Sequence, residues 1–266
     1  MAVSMGSEGL AQRVWRTEEQ AFVAGARWRP LSDAEVVVHP ALPEVWDASF
    51  VSHVAADADA ERLSREAQAA LTRAGCGHVK IILSDPALFG RLGSALRRLG
   101  LGERAFVTMV CRRVPLLDRP DPRIEIRAVA DAPTRAAMAE VRDDVRREAP
   151  WYAPEVSRAL DLWEDLQART LDLTWLVAYY DEVPVGAVGL LLTSEGASLQ
   201  SLATRPAYRR RGVASHLVQE VVRRGLAEGR AWVSLLTDRD DRPRRLYARL
   251  GFDVVGEVRE YLKAIS

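Results

Sequence analysis

The 266 residues carry 37 basic and 37 acidic side chains with 48% hydrophobic content, a balance that excludes a general attraction to nucleic acid or to an anionic membrane and confines any basic patch to a local role. Two cysteines, Cys76 and Cys111, are too few for a disulfide framework and have no metal-ligand spacing. No apolar run approaches the roughly 20 residues of a membrane span and the first residues lack a signal-type apolar core, so a soluble chain of about two domains in a reducing cytoplasm is expected.

In the first half, residues 50–54 read as a strand, 60–74 as a helix, 78–85 as a strand, 95–101 as a helix ending in Leu-Gly, and 106–110 as a strand. Three prolines within eight residues, Pro115, Pro120 and Pro122, deny both helix and ladder hydrogen bonds and mark a linker. Beyond it, residues 124–129 alternate like a strand, and 132–148 and 154–169 read as amphipathic helices joined by an aromatic loop with Trp151 and Tyr152. Residues 174–180 and 184–192 form a predicted hairpin, followed by a strand at 197–203. A helix at 213–227, a strand at 231–236, a short helix at 244–250 and an extended segment at 252–262 complete the pattern.

The order strand, helix ending in Leu-Gly, strand occurs at 78–110 and again at 232–258, which predicts two related units in tandem. The expected division is a first domain at 1–115, a linker at 116–122 and a second domain at 123–266. Alternation of strands and helices predicts an α/β fold with mixed sheets flanked by helices.

One stretch concentrates charge. Residues 203–217 contain four arginines, Arg205 and Arg209 to Arg211, and then pass into an apolar helical run. Pro206 stops the preceding strand, and Gly212 turns the backbone without a Cβ penalty. The helix therefore opens with unpaired amides and the positive end of its dipole beside three guanidinium groups, an arrangement suited to phosphate or pyrophosphate.

This pattern, Arg209-x-x-Gly212-x-Ala214 between a strand and a helix, with Pro206 and Tyr208 before it, resembles the acyl-CoA pyrophosphate loop of the GNAT superfamily of N-acyltransferases. Downstream, the run from Arg245 to Phe252 resembles the family's second marker, in which Tyr247 faces the cofactor sulfur. The resemblance spans about residues 123–263. It implies that acetyl-CoA, as co-substrate, is bound through Arg209, Arg210, Arg211, Gly212, Val213 and Ala214, with Ser215 as a further donor. It also implies that the strand end Leu202, Ala203 and Thr204 pairs with pantetheine. The Leu202 amide is then the donor to the thioester carbonyl, and Tyr247 the proton donor to the departing thiolate. Trp151 and Tyr152 are the expected acceptor-pocket residues, and no metal is expected.

The chain departs from the family pattern in two places. The strand before the loop, 197–201, has no carboxylate where many relatives carry a glutamate base, and Asp240 and Asp241 stand where relatives often have Asn. In the first half, the corresponding loop Ala55-Ala-Asp-Ala-Asp59 has two acids and no glycine, and Leu96 stands where Tyr247 stands in the second copy. Acids satisfy a helix N-terminus themselves and repel pyrophosphate, so the first domain is expected to be a degenerate copy that shapes the acceptor groove or covers a sheet edge.

The resulting expectation is transfer of an acetyl or related acyl group from acyl-CoA to a primary amine of a small molecule or peptide, in a ternary complex without a covalent intermediate. Asp143, Asp144, Glu148, Asp240 and Asp241 are candidates to attract a cationic amine. A CoA-binding sensor without catalysis is the alternative, and a homodimer stays open. Nucleic-acid binding through Arg209 to Arg211 with Arg242, Arg244 and Arg245 is disfavoured, because Asp238, Asp240 and Asp241 crowd the second cluster.

Overall fold

In the computed structural model, which describes residues 9–148 and 153–265, eleven strands join into one mixed sheet. The first half begins with helix α1 (Leu10–Phe22), which turns Val14, Trp15 and Ala21 inward together with Glu18 and Glu19. Strands β1 (Arg27–Pro30), β2 (Glu35–Val38) and β3 (Phe50–Ser52) follow. Helix α2 (Ala60–Arg73) starts at Asp59, whose carboxylate accepts the Arg62 amide at 2.8 Å, so an acid of the loop does satisfy this helix end. Strand β4 (His78–Leu83) is buried throughout, and the short helices α3 (Pro86–Phe89) and α4 (Arg91–Arg98) lead into β5 (Gly102–Cys111).

The second half contains β6 (Ile124–Ala128), α5 (Ala132–Arg146), α6 (Pro154–Thr170), β7 (Asp172–Tyr180) and β8 (Val183–Leu192). The β7–β8 hairpin closes through Asp181 and Glu182, both at positive φ, as a two-residue loop matching strand twist requires. Strand β9 (Ala197–Thr204), helix α7 (Val213–Ala227), strand β10 (Val233–Asp238), helix α8 (Arg242–Arg249) and strand β11 (Asp253–Ala264) complete the chain. The elements expected from sequence are present, most with their ends shifted by one to four residues. Helices α1 and α3 and strands β1 and β2 are additional.

The tandem copies share one backbone device. Helix α4 ends with Gly100 at φ +84° and helix α8 with Gly251 at φ +82°. In each, the residue after the glycine returns an amide to the helix, from Leu101 to the Leu96 carbonyl at 3.2 Å and from Phe252 to the Tyr247 carbonyl at 3.0 Å. Leu96 and Tyr247 therefore occupy the same place in the two copies.

The strand order is β1-β2-β3-β4-β11-β5-β10-β9-β8-β7-β6. Each copy's final strand is exchanged, since β11 lies against β4 of the first half while β5 lies against β10 of the second. Strands β5 and β11 also pair with each other antiparallel, from Asp253 opposite Val110 to Leu262 opposite Gly102. The two sheets expected from sequence are thus joined into one, and each half is completed by the other.

Helices α2, α4, α7 and α8 cover one face of this sheet, burying Val51, Ile81 and Tyr261 in the first half and Leu176, Val188 and Leu235 in the second. Helices α1, α5 and α6 lie on the opposite face. There Trp15 packs on Phe50 and Ile82, Ala137 packs on Val177, and Gln167 of α6 donates to the Ala21 carbonyl at 2.7 Å. Because strand side chains alternate, Leu199 and Leu235 face α7 while Ser198, Gln200 and Ser234 face α1.

Candidate active site

Strands β9 and β10 run parallel but share only two register pairs, Val233 with Ala197 and Ser234 with Ser198. Beyond that point they part. The far edge of β10 stays paired with β5 as far as Asp238, so the edge facing β9 is the one left open. On β9, Ser201 adopts φ +50°, and the register against β8 jumps from Gln200 opposite Gly189 to Ala203 opposite Ala187. Ser201 and Leu202 together oppose Val188, a bulge that takes Leu202 out of the ladder at the mouth of the gap.

The arginine loop lies just past the end of β9. Residues Pro206–Tyr208 form a single 3-10 turn, Arg210 takes φ +63° and Gly212 takes φ +85° directly before Val213, the first residue of α7. A Cβ on Gly212 would meet nothing closer than His216 at 3.5 Å, so the backbone angle rather than crowding calls for glycine here. Val213, Ala214 and Ser215 form the first turn, where helix amides have no partner within the helix. The three arginines differ in their attachments. Arg209 pairs with Glu148 at the end of α5, Arg211 lies over the Tyr180 and Tyr208 rings at 5.8 and 5.2 Å, and Arg210 has no ion-pair partner among the described residues. His216 serves packing, accepting the Asp121 amide at 3.0 Å and so fastening the proline-rich linker to α7.

Tyr247 lies on α8, on the α7 face of the sheet, 7% exposed and 5.9 Å from the Phe252 ring. Burial and the nearby Asp241 carboxylate push its phenol up to about 12, so it holds its proton across the neutral range. On the other face a cavity of about 530 Å³ opens between the two halves of the chain. Its floor is Leu199 to Ala203 of β9 and Leu236 to Asp238 of β10, and its walls come from α1, α5, α6, β5 and β11.

The cavity charges are ordered. Lys80, 2% exposed, bonds Asp47 at 2.6 Å and Glu260 at 2.8 Å. Arg142 stacks on Trp175 at 4.3 Å and pairs with Glu164, which Arg146 also reaches at 3.3 Å. Arg104 meets Asp238 at 3.4 Å. Two further donors of Arg142, Nε and Nη2, are buried without a hydrogen-bond partner among the described residues.

Glu18 differs from these carboxylates. It is 2% exposed, and among the described residues it accepts hydrogen bonds from neutral groups: the Ser198 hydroxyl at 2.8 Å, the Ser234 hydroxyl at 2.5 Å and the Gln200 amide at 3.3 Å. Burial raises its pKa to about 7 against the lowering effect of those three donors.

The bulge residues Leu202 and Ala203 therefore lie at the cavity floor, and Thr204 and Arg209 to Ser215 continue from that strand end. Tyr247 stands on the far side of the sheet. Trp151 and Tyr152 lie outside the described residues. Three of the surface acids considered as amine attractants have local partners instead: Asp144 pairs with Arg205, Glu148 with Arg209, and Asp241 caps α8. Glu18 is absent from the sequence-based candidates. Its signal is a carboxylate on the apolar stripe formed by Val14, Trp15, Ala21 and Phe22 of a helix.

Residues 138–252 match the model of the Acetyltransferase (GNAT) family. The chain is 30% identical over 139 residues to a mycothiol acetyltransferase of Brachybacterium faecium, a match covering 50% of this chain and 37% of that relative's length. The fold is similar to that of a GCN5-related N-acetyltransferase from Kribbella flavida, with a TM-score of 0.69 at 16% identity over 97% of this chain and 96% of that one. It is also similar to a tandem GNAT protein from the clavulanic acid biosynthesis pathway, with a TM-score of 0.61 at 12% identity, covering 87% of this chain and 78% of that one. The second half of the chain, at residues 138–252, is thus similar to the Acetyltransferase (GNAT) family.

Proposed function

We propose that the protein transfers an acetyl or related acyl group from acyl-CoA to a primary amine by direct attack within a ternary complex. The observation that carries this reading is the parting of β9 and β10 beside the bulge at Leu202, with the cavity beneath α1 floored by Leu199 to Ala203 and the Gly212 loop following directly from the end of β9. In this reading the first-turn amides of α7 with Arg209, Arg210 and Arg211 hold the CoA phosphates, and Leu202 to Thr204 pair with pantetheine. The freed Leu202 amide stabilises the oxyanion, and Tyr247 protonates the leaving thiolate.

The amine enters from the opposite face. Five carboxylates and three guanidinium groups line the cavity, with Lys80 behind two of the carboxylates, and this polar lining of nearly balanced charge suits an amine that carries further polar groups. The unpartnered Arg142 donors suit an acceptor that also bears hydroxyl or carbonyl oxygens.

The test is calorimetric titration with acetyl-CoA and with free CoA, followed by an amine screen that reads thiol release. One site per chain together with amine-dependent thiol release is the expected result. Two sites would assign cofactor binding to both halves. Binding without turnover on any amine would leave a CoA sensor in place of an enzyme.

A further inference from the structure

The second half lacks a carboxylate on β9, yet the cavity floor has one. Glu18 reaches it from α1, some 180 residues away in the chain, and lines the cavity beside Ala21 and Phe22 of the same helix. Its partner Gln200 lies two residues before Leu202 on β9, about 7 Å along the strand. We propose that Glu18 is the proton acceptor for the amine substrate, supplied by the first half of the chain to the active site of the second. The proposal rests on the acyl-transfer reading above.

Charge pairing singles Glu18 out. Asp47 and Glu260 are tied to Lys80, Glu164 to Arg142 and Arg146, and Asp238 to Arg104, so each of these acids has a cation beside it. From β9 and β10, by contrast, Ser198, Gln200 and Ser234 face Glu18, and all three are neutral. On α1 itself the adjacent Glu19 turns to the first half, bonding Ser52 at 2.7 Å and His53 at 3.0 Å, while Arg13 pairs with Glu195. A buried carboxylate without a cation, with its pKa near 7, accepts a proton from an alkylammonium group and returns it to water at neutral pH.

The step balances. The ammonium nitrogen gives a proton to the Glu18 carboxylate, directly or through one water, and the freed lone pair forms the C–N bond at the thioester carbonyl. The C–S bond breaks, its electron pair leaves with sulfur, the thiolate takes the Tyr247 proton, and the second proton on nitrogen passes through solvent to restore the phenol as the amide forms. Glu18 then releases its proton to solvent.

The experiment compares wild type with Glu18→Gln on two acceptors, ethanolamine and hydroxylamine, reading thiol release from acetyl-CoA and acetyl-CoA affinity separately. Ethanolamine is protonated at neutral pH and needs a base, whereas hydroxylamine is already a free base. The expected result is a loss of about 100-fold in kcat/KM with ethanolamine, a change within about threefold with hydroxylamine, and unchanged acetyl-CoA affinity. Equal retention on both acceptors overturns the role of Glu18 and leaves the acyl-transfer reading intact. Equal loss on both, with affinity kept, makes Glu18 structural and overturns its proton role. A wild-type enzyme that binds acetyl-CoA and transfers to neither acceptor overturns the acyl-transfer reading and this proposal with it. If Glu18→Gln does not fold, the wild-type pH profile with ethanolamine decides: an acid limb near pH 7 supports the assignment, and a limb set only by the amine overturns it.

Discussion

The carboxylate of Glu18 on α1 accepts the Ser198 hydroxyl of β9 at 2.8 Å, a hydrogen bond that closes the first helix onto the last paired residues of β9 and β10. Its neighbour Glu19 bonds Ser52 at the end of β3. Two consecutive glutamates thus bind the two halves of the chain to one helix. They stand in opposite circumstances, since Glu19 has His53 as a counter-charge and Glu18 has none among the described residues.

That difference predicts a stability cost. A carboxyl whose pKa is raised from 4.5 in the unfolded chain to about 7 in the folded one favours folding fully only below 4.5, and that contribution is lost as pH rises through 7. At pH 8 the folded chain has lost about 3 kcal/mol of the stability it has when Glu18 is protonated in both states. Glu18→Gln should therefore raise the melting temperature at pH 8 and lose most of that gain at pH 4.5, as read by thermal unfolding across the range. A gain independent of pH would mean that the glutamine packs better and that the carboxylate is not strained.

Replacing Tyr247 with Phe keeps the ring packed against Phe252 and removes only the phenol. We expect kcat to fall by about 10- to 100-fold with acetyl-CoA affinity within twofold of wild type, measured by steady-state thiol release and calorimetry. Because the phenol is pushed up to about 12, wild-type kcat should show no alkaline limb from this group near neutrality. Full activity in the variant would remove Tyr247 from the chemistry.

Gly212 separates backbone geometry from charge. At φ +85° any L-residue is strained, so Gly212→Ala is expected to cost about 1 kcal/mol of stability. Gly212→Asp adds a negative charge beside the first-turn amides and is expected to weaken CoA binding at least tenfold beyond the alanine variant, with the excess shrinking at high salt. Identical CoA affinities for the two variants would place the phosphates elsewhere.

The second half was largely legible because its signals are local. The 3.6-residue pattern of α7, the Pro206 stop and Gly212 turn, and the Leu-Gly ending of α8 each depend on a few neighbouring residues. The exchange of β5 and β11 was not legible. Both are amphipathic strands with the same pattern, and nothing in an alternation of side chains says which edge a strand joins. Glu18 was missed for a related reason. A glutamate on an exposed helix face looks the same as one buried at a cavity until the helix is placed, and α1 is placed by contacts with β5, β9, β10 and β11, which are distant in sequence.

The exchange itself is testable by cutting the chain at its linker. Residues 1–115 keep β4 but lose β11, and residues 123–266 keep β10 but lose β5 and the Glu18 helix. Each fragment would expose an unpaired edge of a buried strand, with six residues of ladder missing in each case, and 123–266 would also expose the surface around Trp232 normally covered by α1. Neither is expected to unfold cooperatively alone, while co-expression of the two should recover one cooperative transition and acetyl-CoA binding. Native-like circular dichroism and acetyl-CoA affinity in 123–266 by itself would show that the second half is autonomous. In that event the strand exchange would serve only to tether Glu18 over the cavity, and loss of turnover on alkylamines with binding intact would be the mark of the missing helix.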